Sequence, residues 1–287
     1  MAKKPAQTDK PKASKPGETQ PKASKPAVAK SKPKPKATPK AQAINARIDG
    51  LAQRIGLVIW RPVRWFAYLV VLFALITLLL TIVFRFANPY ITPYYVAERA
   101  RLGEVSRVWT PLSSFSPHVA RAVVAAEDAN FCSHFGFDFD AIRSAFDDTS
   151  RVRGGSTLSQ QVAKNVFLWQ GRTWLRKGLE AWFTLAIELT WSKARIVEVY
   201  LNIAEFDEGV FGAAAAGRHY FGTAPNRLTL KQAAQMAAVL PNPKKRSAAK
   251  PTAFLRKRAN AIASGAQTIA VDGRADCFSV VEIAKNS

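Results

Sequence analysis

Hydrophobic positions along this chain fall into three regimes. The first forty residues have almost no large apolar side chains, Trp65 to Phe84 is an unbroken run without a charge, and after Pro89 apolar residues recur at helical spacing between caps and prolines. The unbroken run would be about 30 Å long as a helix, the thickness of a bilayer's hydrocarbon layer. It predicts a transmembrane helix over 65–86. A cleavable leader would have a shorter apolar part and a small-residue cleavage site, whereas Arg85, Phe86 and Asn88 follow here. The helix is therefore expected to stay as an anchor.

Beyond the anchor, Ser116 followed by Pro117 fits an N-cap with proline at the first helical position, opening a helix that brings Glu127 near its end. Leu158, Val162 and Val166 make an apolar stripe at i, i+4 and i+8. Thr157, Gln161 and Lys164 fall at i, i+4 and i+7 with Asn165 beside them, so the same helix has a polar face. Gly154 and Gly155 allow a tight turn before it, and Ser156 or Thr157 can cap it. Free N–H groups at its positive end would then seat an anion such as phosphate, although a solvated polar face would show the same pattern. Further helices are predicted over 172–191, over 193–201 behind Ser192, over 233–240 behind a Thr229/Gln232 capping box and before Pro241, and over 252–267. Strand alternation is scarce, so the fold class is mainly α.

Charge sharpens this layout. Twelve lysines and four arginines against three acids before Trp65 give +13 of the chain's +22, and the tail repeats PKASKP at 11–16 and 21–26. Such a segment cannot bury a core, and we expect disorder over 1–46, followed by a basic juxtamembrane segment over 47–64. Positive charge before the anchor leaves the N-terminus in the cytoplasm and carries the main domain, 89–272, across the membrane, with a C-terminal tail over 273–287. The mixture of Trp169 and Trp174 with Arg172, Arg176 and Lys177 suits a membrane interface, and equally an ordinary core rim. Cys132 and Cys277 could pair in an oxidising compartment, which their separation alone does not decide.

Candidate chemistry rests on carboxylates, cations and amides. Glu127 follows Val123 by four, so its carboxylate projects beside an apolar stripe where desolvation would raise its pKa toward that of a general base or acid. A carboxylate paired with a cation is the structural alternative. Arg176 and Glu180 stand at i and i+4 and share a helix face, either as a surface ion pair or as an anion-binding pair in a cleft. His118, His134 and His219 show no metal-ligand spacing, so no metal site is expected, and no glycine-rich nucleotide loop follows a strand. This inventory fits glycosyl transfer with an anionic leaving group.

Four ordered motifs carry a resemblance. EDANFCSHFG, GGSTLSQQVAKN, RKGLEAWFTLAIE and KARIVEVYLNIAEF follow one anchor, and together they resemble the peptidoglycan glycosyltransferase family over about 112–243. Because the chain ends at Ser287 without motifs for a transpeptidase domain, its monofunctional members are the expected match. The resemblance implies a lysozyme-like, all-α glycosyltransferase domain with a membrane-associated lobe, working on lipid II and lipid-linked glycan at the cell inner membrane, with a periplasmic catalytic domain. Glu127 would be the general base and Glu180 the second family carboxylate. Thr157, Gln161, Lys164, Asn165 and Arg176 would bind the diphosphate-sugar donor. Asp128, Phe131, His134 and Gly136 would shape the catalytic turn, with Gly155, Ser156 and Lys177 supporting. The segment 140–153 corresponds to the family's mobile stretch near the donor.

The family implies no required cofactor and leaves room for a divalent cation, Mg or Mn. It implies cell-wall synthesis or division proteins as partners, and no nucleic acid. The main competitor is a membrane-anchored lysozyme-like hydrolase or lytic transglycosylase, which has little use for cations converging on a leaving group. A scaffold whose lysine tail binds nucleic acid or anionic lipid is a third reading, and loss of function on deleting 1–40 would favour it.

Overall fold

A computed structural model describes residues 38–140, 143 and 155–279. The lysine-rich stretch 1–37, the expected mobile stretch 140–153 apart from residues 140 and 143, Gly154, and residues 280–287 of the expected C-terminal tail lie outside the described residues. The chain divides into two units, one up to Val63 and one from Arg64 onward. Helix α1 (Pro39–Phe86) begins in the first, well ahead of the expected position 65. Proline is tolerated in a first turn, and between Pro39 and Pro62 the segment is rich in alanine, leucine and isoleucine without an internal proline, so helix wins over the expected disorder of 39–46. Within α1, Trp60–Phe86 is long and apolar enough to cross a membrane.

The second unit is mainly α, as its sequence pattern predicts. Helices α2 (Pro93–Leu102), α3 (Pro117–Glu127), α4 (Leu158–Phe167), α5 (Trp174–Thr190), α6 (Lys193–Ile203), α7 (Ala213–Phe221), α8 (Leu230–Val239) and α9 (Ala253–Val271) surround one hydrophobic core. The caps follow local sequence. Thr157, Thr173, Ser192, Thr229 and Thr252 each accept an N–H from the first turn of their helix, and Thr157 and Thr229 form full capping boxes with Gln160 and Gln232. Ser116 occupies the N-cap position with Pro117 behind it, but its side chain makes no capping bond.

Two packing groups position the cleft. α3 packs against α8 and α9, and α4 packs against α5 and α6, with Leu158, Val162, Ile187, Ile196, Leu201 and Met236 fully buried. The α1 stretch after Arg64 docks on the second group. Trp182 Nε1 donates to Thr77 Oγ1 at 3.0 Å, Trp191 Nε1 donates to the Thr81 carbonyl at 2.7 Å, and Arg195 donates to the carbonyls of Phe84 and Ala87 at 3.0 and 2.7 Å. These bonds satisfy polar groups on the helix that apolar surroundings would leave unpaired. Phe167 stacks on Phe183 with centroids 4.3 Å apart, and Phe84 lies against Phe167.

Three short strands complete the described fold. β1 (Ser106–Arg107) runs parallel to β3 (Val210–Phe211), and β3 runs antiparallel to β2 (Glu205–Asp207), in the order β1-β3-β2. Strands of two or three residues carry no readable alternation. Cys132 and Cys277 are bonded, tying the turn after α3 to the 3-10 turn Asp276–Phe278, which packs on α6. The open choice about the bridge is thereby answered.

Candidate active site

Glu127 is the last residue of α3, and the turn behind it is held from three sides. Asp128 Oδ1 lies 2.9 Å from His134 Nε2, and Asp128 Oδ2 accepts the Leu158 N–H at 3.0 Å. Thr157 Oγ1 donates to the Gly136 carbonyl at 2.6 Å. Lys193 Nζ donates to the His134 carbonyl at 2.7 Å and to Glu188 at 2.9 Å, and stands 4.3 Å from the centre of the buried Phe131 ring. Gly136 has φ +75°, and a Cβ there would meet Thr184 Cγ2 at 2.8 Å. Only glycine fits that corner without displacement.

This arrangement changes two expectations about α4. Asp128 Oδ2 accepts the Leu158 N–H and Thr157 Oγ1 the Gln160 N–H, so the protein's own groups, one of them a carboxylate, occupy part of the expected phosphate seat. Thr157 is the cap itself, with its hydroxyl committed to Gly136 and to the Gln160 N–H, so it borders the cleft through structure. A Cβ added to Gly155 would meet nothing within 4 Å among the described residues, so no close approach there calls for glycine. Asn165 lies one residue round the helix from Lys164 and takes a 3.4 Å bond from Gln170; it lines neither of the clefts described next.

The larger cleft, about 1060 Å³, is lined by Glu127, Asp128, Ser156, Thr157 and Lys164 and by three arginines, Arg172, Arg246 and Arg258. A second, about 450 Å³, is lined by Ser156, Gln161, Lys164, Arg172, Arg176, Lys177 and Glu180. Ser156, Lys164 and Arg172 line both, so the two meet along one cationic edge. Arg176 Nη1 donates to Glu180 Oε2 at 2.7 Å, and Lys177 also pairs with Glu180, whose carboxylate is buried. Glu180 thus holds two cations in place from beneath, as the i, i+4 spacing with Arg176 anticipates.

Electrostatics distinguish the two carboxylate regions. Burial pushes the Glu127 carboxyl above its ordinary range and Asp128 adds to the rise; the Gln161 bond at 2.9 Å and the charges of Arg258 and Lys164 pull it back. A desolvated carboxylate kept ionisable by one amide and two cations is suited to take a proton near neutrality. Burial holds the Lys164 ammonium below its ordinary value, opposed by Glu180 and reinforced by Arg176 and Lys177. Three cations crowded this way gain from an anion among them. Asp128, His134 and Asp138 bring ligand atoms within 4.8 Å of one another, the grouping among the described residues that comes nearest to a metal centre, and one the histidine spacing does not suggest. Both Asp128 oxygens already take hydrogen bonds that anchor the turn and α4, so this set fits a cation poorly.

Sequence reading missed Arg172, Arg246 and Arg258. The run Arg256-Lys257-Arg258 in the first turns of α9 was the available signal, and folding brings α9 against α3 and its glutamate. Tyr200, buried on α6, also reaches the site through Gln161.

A mainly helical domain beside an apolar anchor helix, with one ionisable carboxylate and a separate cationic pocket, is the framework of an enzyme that activates a hydroxyl and discharges an anion. The family model described as "Transglycosylase" matches residues 96–267, and the chain belongs to that family. Relatives named biosynthetic peptidoglycan transglycosylase share much of it. One from Jannaschia sp. (strain CCS1) is 57% identical over 187 residues, covering 65% of this chain and 78% of that protein. One from Caulobacter vibrioides is 46% identical over 199 residues, covering 68% and 87%. One from Pseudomonas putida (strain GB-1) is 52% identical over 196 residues, covering 65% and 83%.

Proposed function

We infer that this chain is a peptidoglycan glycosyltransferase that polymerises glycan strands from a lipid-linked precursor. The observation that carries the reading is the pairing of desolvated, Gln161-bonded Glu127 with a neighbouring pocket of Lys164, Arg172, Arg176 and Lys177. Glu127 takes the proton from the 4-hydroxyl of N-acetylglucosamine on lipid II. The freed oxygen attacks the anomeric carbon of the lipid-linked glycan, and the undecaprenyl diphosphate departs from the opposite face. A β-1,4 bond forms with inversion, and the negative charge moves onto the leaving diphosphate. Lys164, Arg172 and Arg176 offset that charge, while Glu180 orients Arg176 and Lys177.

The anchor supports the setting. A lipid-linked substrate stays in the bilayer, and a domain docked on its own membrane helix through Trp182 and Trp191 works at that surface. The lysine-rich side is cytoplasmic and the catalytic domain periplasmic at the inner membrane, where cell-wall synthesis or division proteins are its expected neighbours. Purified full chain in detergent, given labelled lipid II and no energy source, should yield long glycan and free undecaprenyl diphosphate. Cleavage of preformed glycan without polymer would replace this reading with the hydrolase.

A further inference from the structure

The Gln161 amide lies between two side chains. Its Nε2 donates to Glu127 Oε2 at 2.9 Å, and its Oε1 accepts from Tyr200 Oη at 3.3 Å. An amide has one accepting and one donating end, so a hydroxyl donating to the oxygen obliges the NH2 group to face the carboxylate. Turned over, the amide would set its oxygen against that of Glu127, acceptor against acceptor. Tyr200 is held in the core of α6 at 2% exposure, and Gln161 is the one hydrogen-bond partner of its hydroxyl among the described residues. Burial and the nearby Glu127 charge keep the phenol above its ordinary pKa, which leaves it a proton donor at working pH.

We propose that Tyr200 is a positioning residue for the reaction, fixing the Gln161 amide as a donor to Glu127 and thereby setting the basicity of that carboxylate. The proposal rests on the reading of Glu127 as the base. Other charged groups facing Glu127 are Asp128 from the turn, Lys164 from α4 and Arg258 from α9. Tyr200→Phe alters none of them. It removes one oxygen and keeps the ring, and because the Tyr200 hydroxyl also lies near the Glu127 charge, the Gln161→Ala background separates a change passed through the amide from a direct one.

The test is the pH dependence of kcat/KM for glycan formation by the full chain, in the unaltered protein, Tyr200→Phe, Gln161→Ala and the double variant, with Glu127→Gln alongside. A base works only when deprotonated, so a raised carboxyl pKa moves the acid limb to higher pH. Tyr200→Phe should move it up by about half to one pH unit, a roughly three- to tenfold loss on that limb, mainly in kcat. Gln161→Ala should move it at least as far, and the double variant no further than Gln161→Ala alone. An unshifted acid limb in Tyr200→Phe overturns the proposal, as does a shift that adds to that of Gln161→Ala or a fall in thermal stability alone. If Glu127→Gln keeps full activity, the base assignment fails first. If that variant is inactive while Tyr200→Phe is unshifted, only the relay fails.

Discussion

Cutting the Cys132–Cys277 bridge should unsettle the catalytic turn more than any other single covalent change. The bond joins cysteines 145 residues apart, and a loop of that length corresponds to about 5 kcal/mol of chain entropy removed from the unfolded state. Native disulfides of small domains contribute about 2–5 kcal/mol, so that figure is the upper end. For a domain of this size each kcal/mol corresponds to roughly 2–4 °C in Tm, which gives an expected fall of about 5–15 °C on reduction. Cys132 lies between Asp128 and His134, which the same turn holds 2.9 Å apart, so polymerisation should fail at a lower temperature as well. The assay is a thermal melt of the full chain in detergent, with and without a dithiol reductant and with Cys132→Ser/Cys277→Ser, alkylation confirming the free thiols. Superimposable melts in fully reduced protein would refute the reasoning.

Gly136→Ala forces a Cβ to within 2.8 Å of Thr184 at a positive φ, and should cost about 1–3 kcal/mol or more and lose activity with it, read by melting temperature and glycan yield. Ionising Glu127 opposes folding because its folded pKa is raised. The stability contributed by the protonated carboxyl is complete below the ordinary carboxylate range and is lost as pH rises through the folded value. Glu127→Gln should therefore melt higher than the unaltered protein near neutrality, with the gap closing in acid; a lower Tm at neutral pH counts against desolvation of this group. Arg258→Ala removes a cation that favours the ionised carboxylate, so the acid limb of kcat/KM should move to higher pH, which a pH–rate series measures directly. Trp182→Phe breaks the bond to Thr77 and should lower the melting temperature by about 1 kcal/mol's worth, with little effect on kcat; an unchanged melt would remove that bond from the docking of α1.

The helices were legible where local chemistry decides them. The Thr157, Ser192 and Thr229 caps and the apolar spacing between them need only neighbours within a turn, and α4, α6 and α8 appear there. α7 opens on four alanines and a glycine and closes on Arg218, His219, Tyr220 and Phe221, between two further glycines, without a clear apolar stripe to read, and α2 is marked only by its Thr92 cap and Pro93. The site divides in the same way. Arg176 and Glu180 share one helix face, so their pairing follows from spacing, whereas the approach of Arg258 to Glu127 depends on α9 packing against α3 across 131 residues of chain. The polar stripe of α4 was visible, but its partners were not. Asp128, arriving from another element, turns part of an apparent phosphate seat into an internal anchor.

The central claim is that Glu127 is the proton acceptor in glycan formation. Single-turnover transfer from lipid-linked glycan to lipid II, measured with the unaltered chain and with Glu127→Gln at matched substrate binding, tests it most directly. A fall in the chemical step of at least about 10²-fold, with binding intact, is the predicted result. Transfer at an undiminished rate in Glu127→Gln would contradict it.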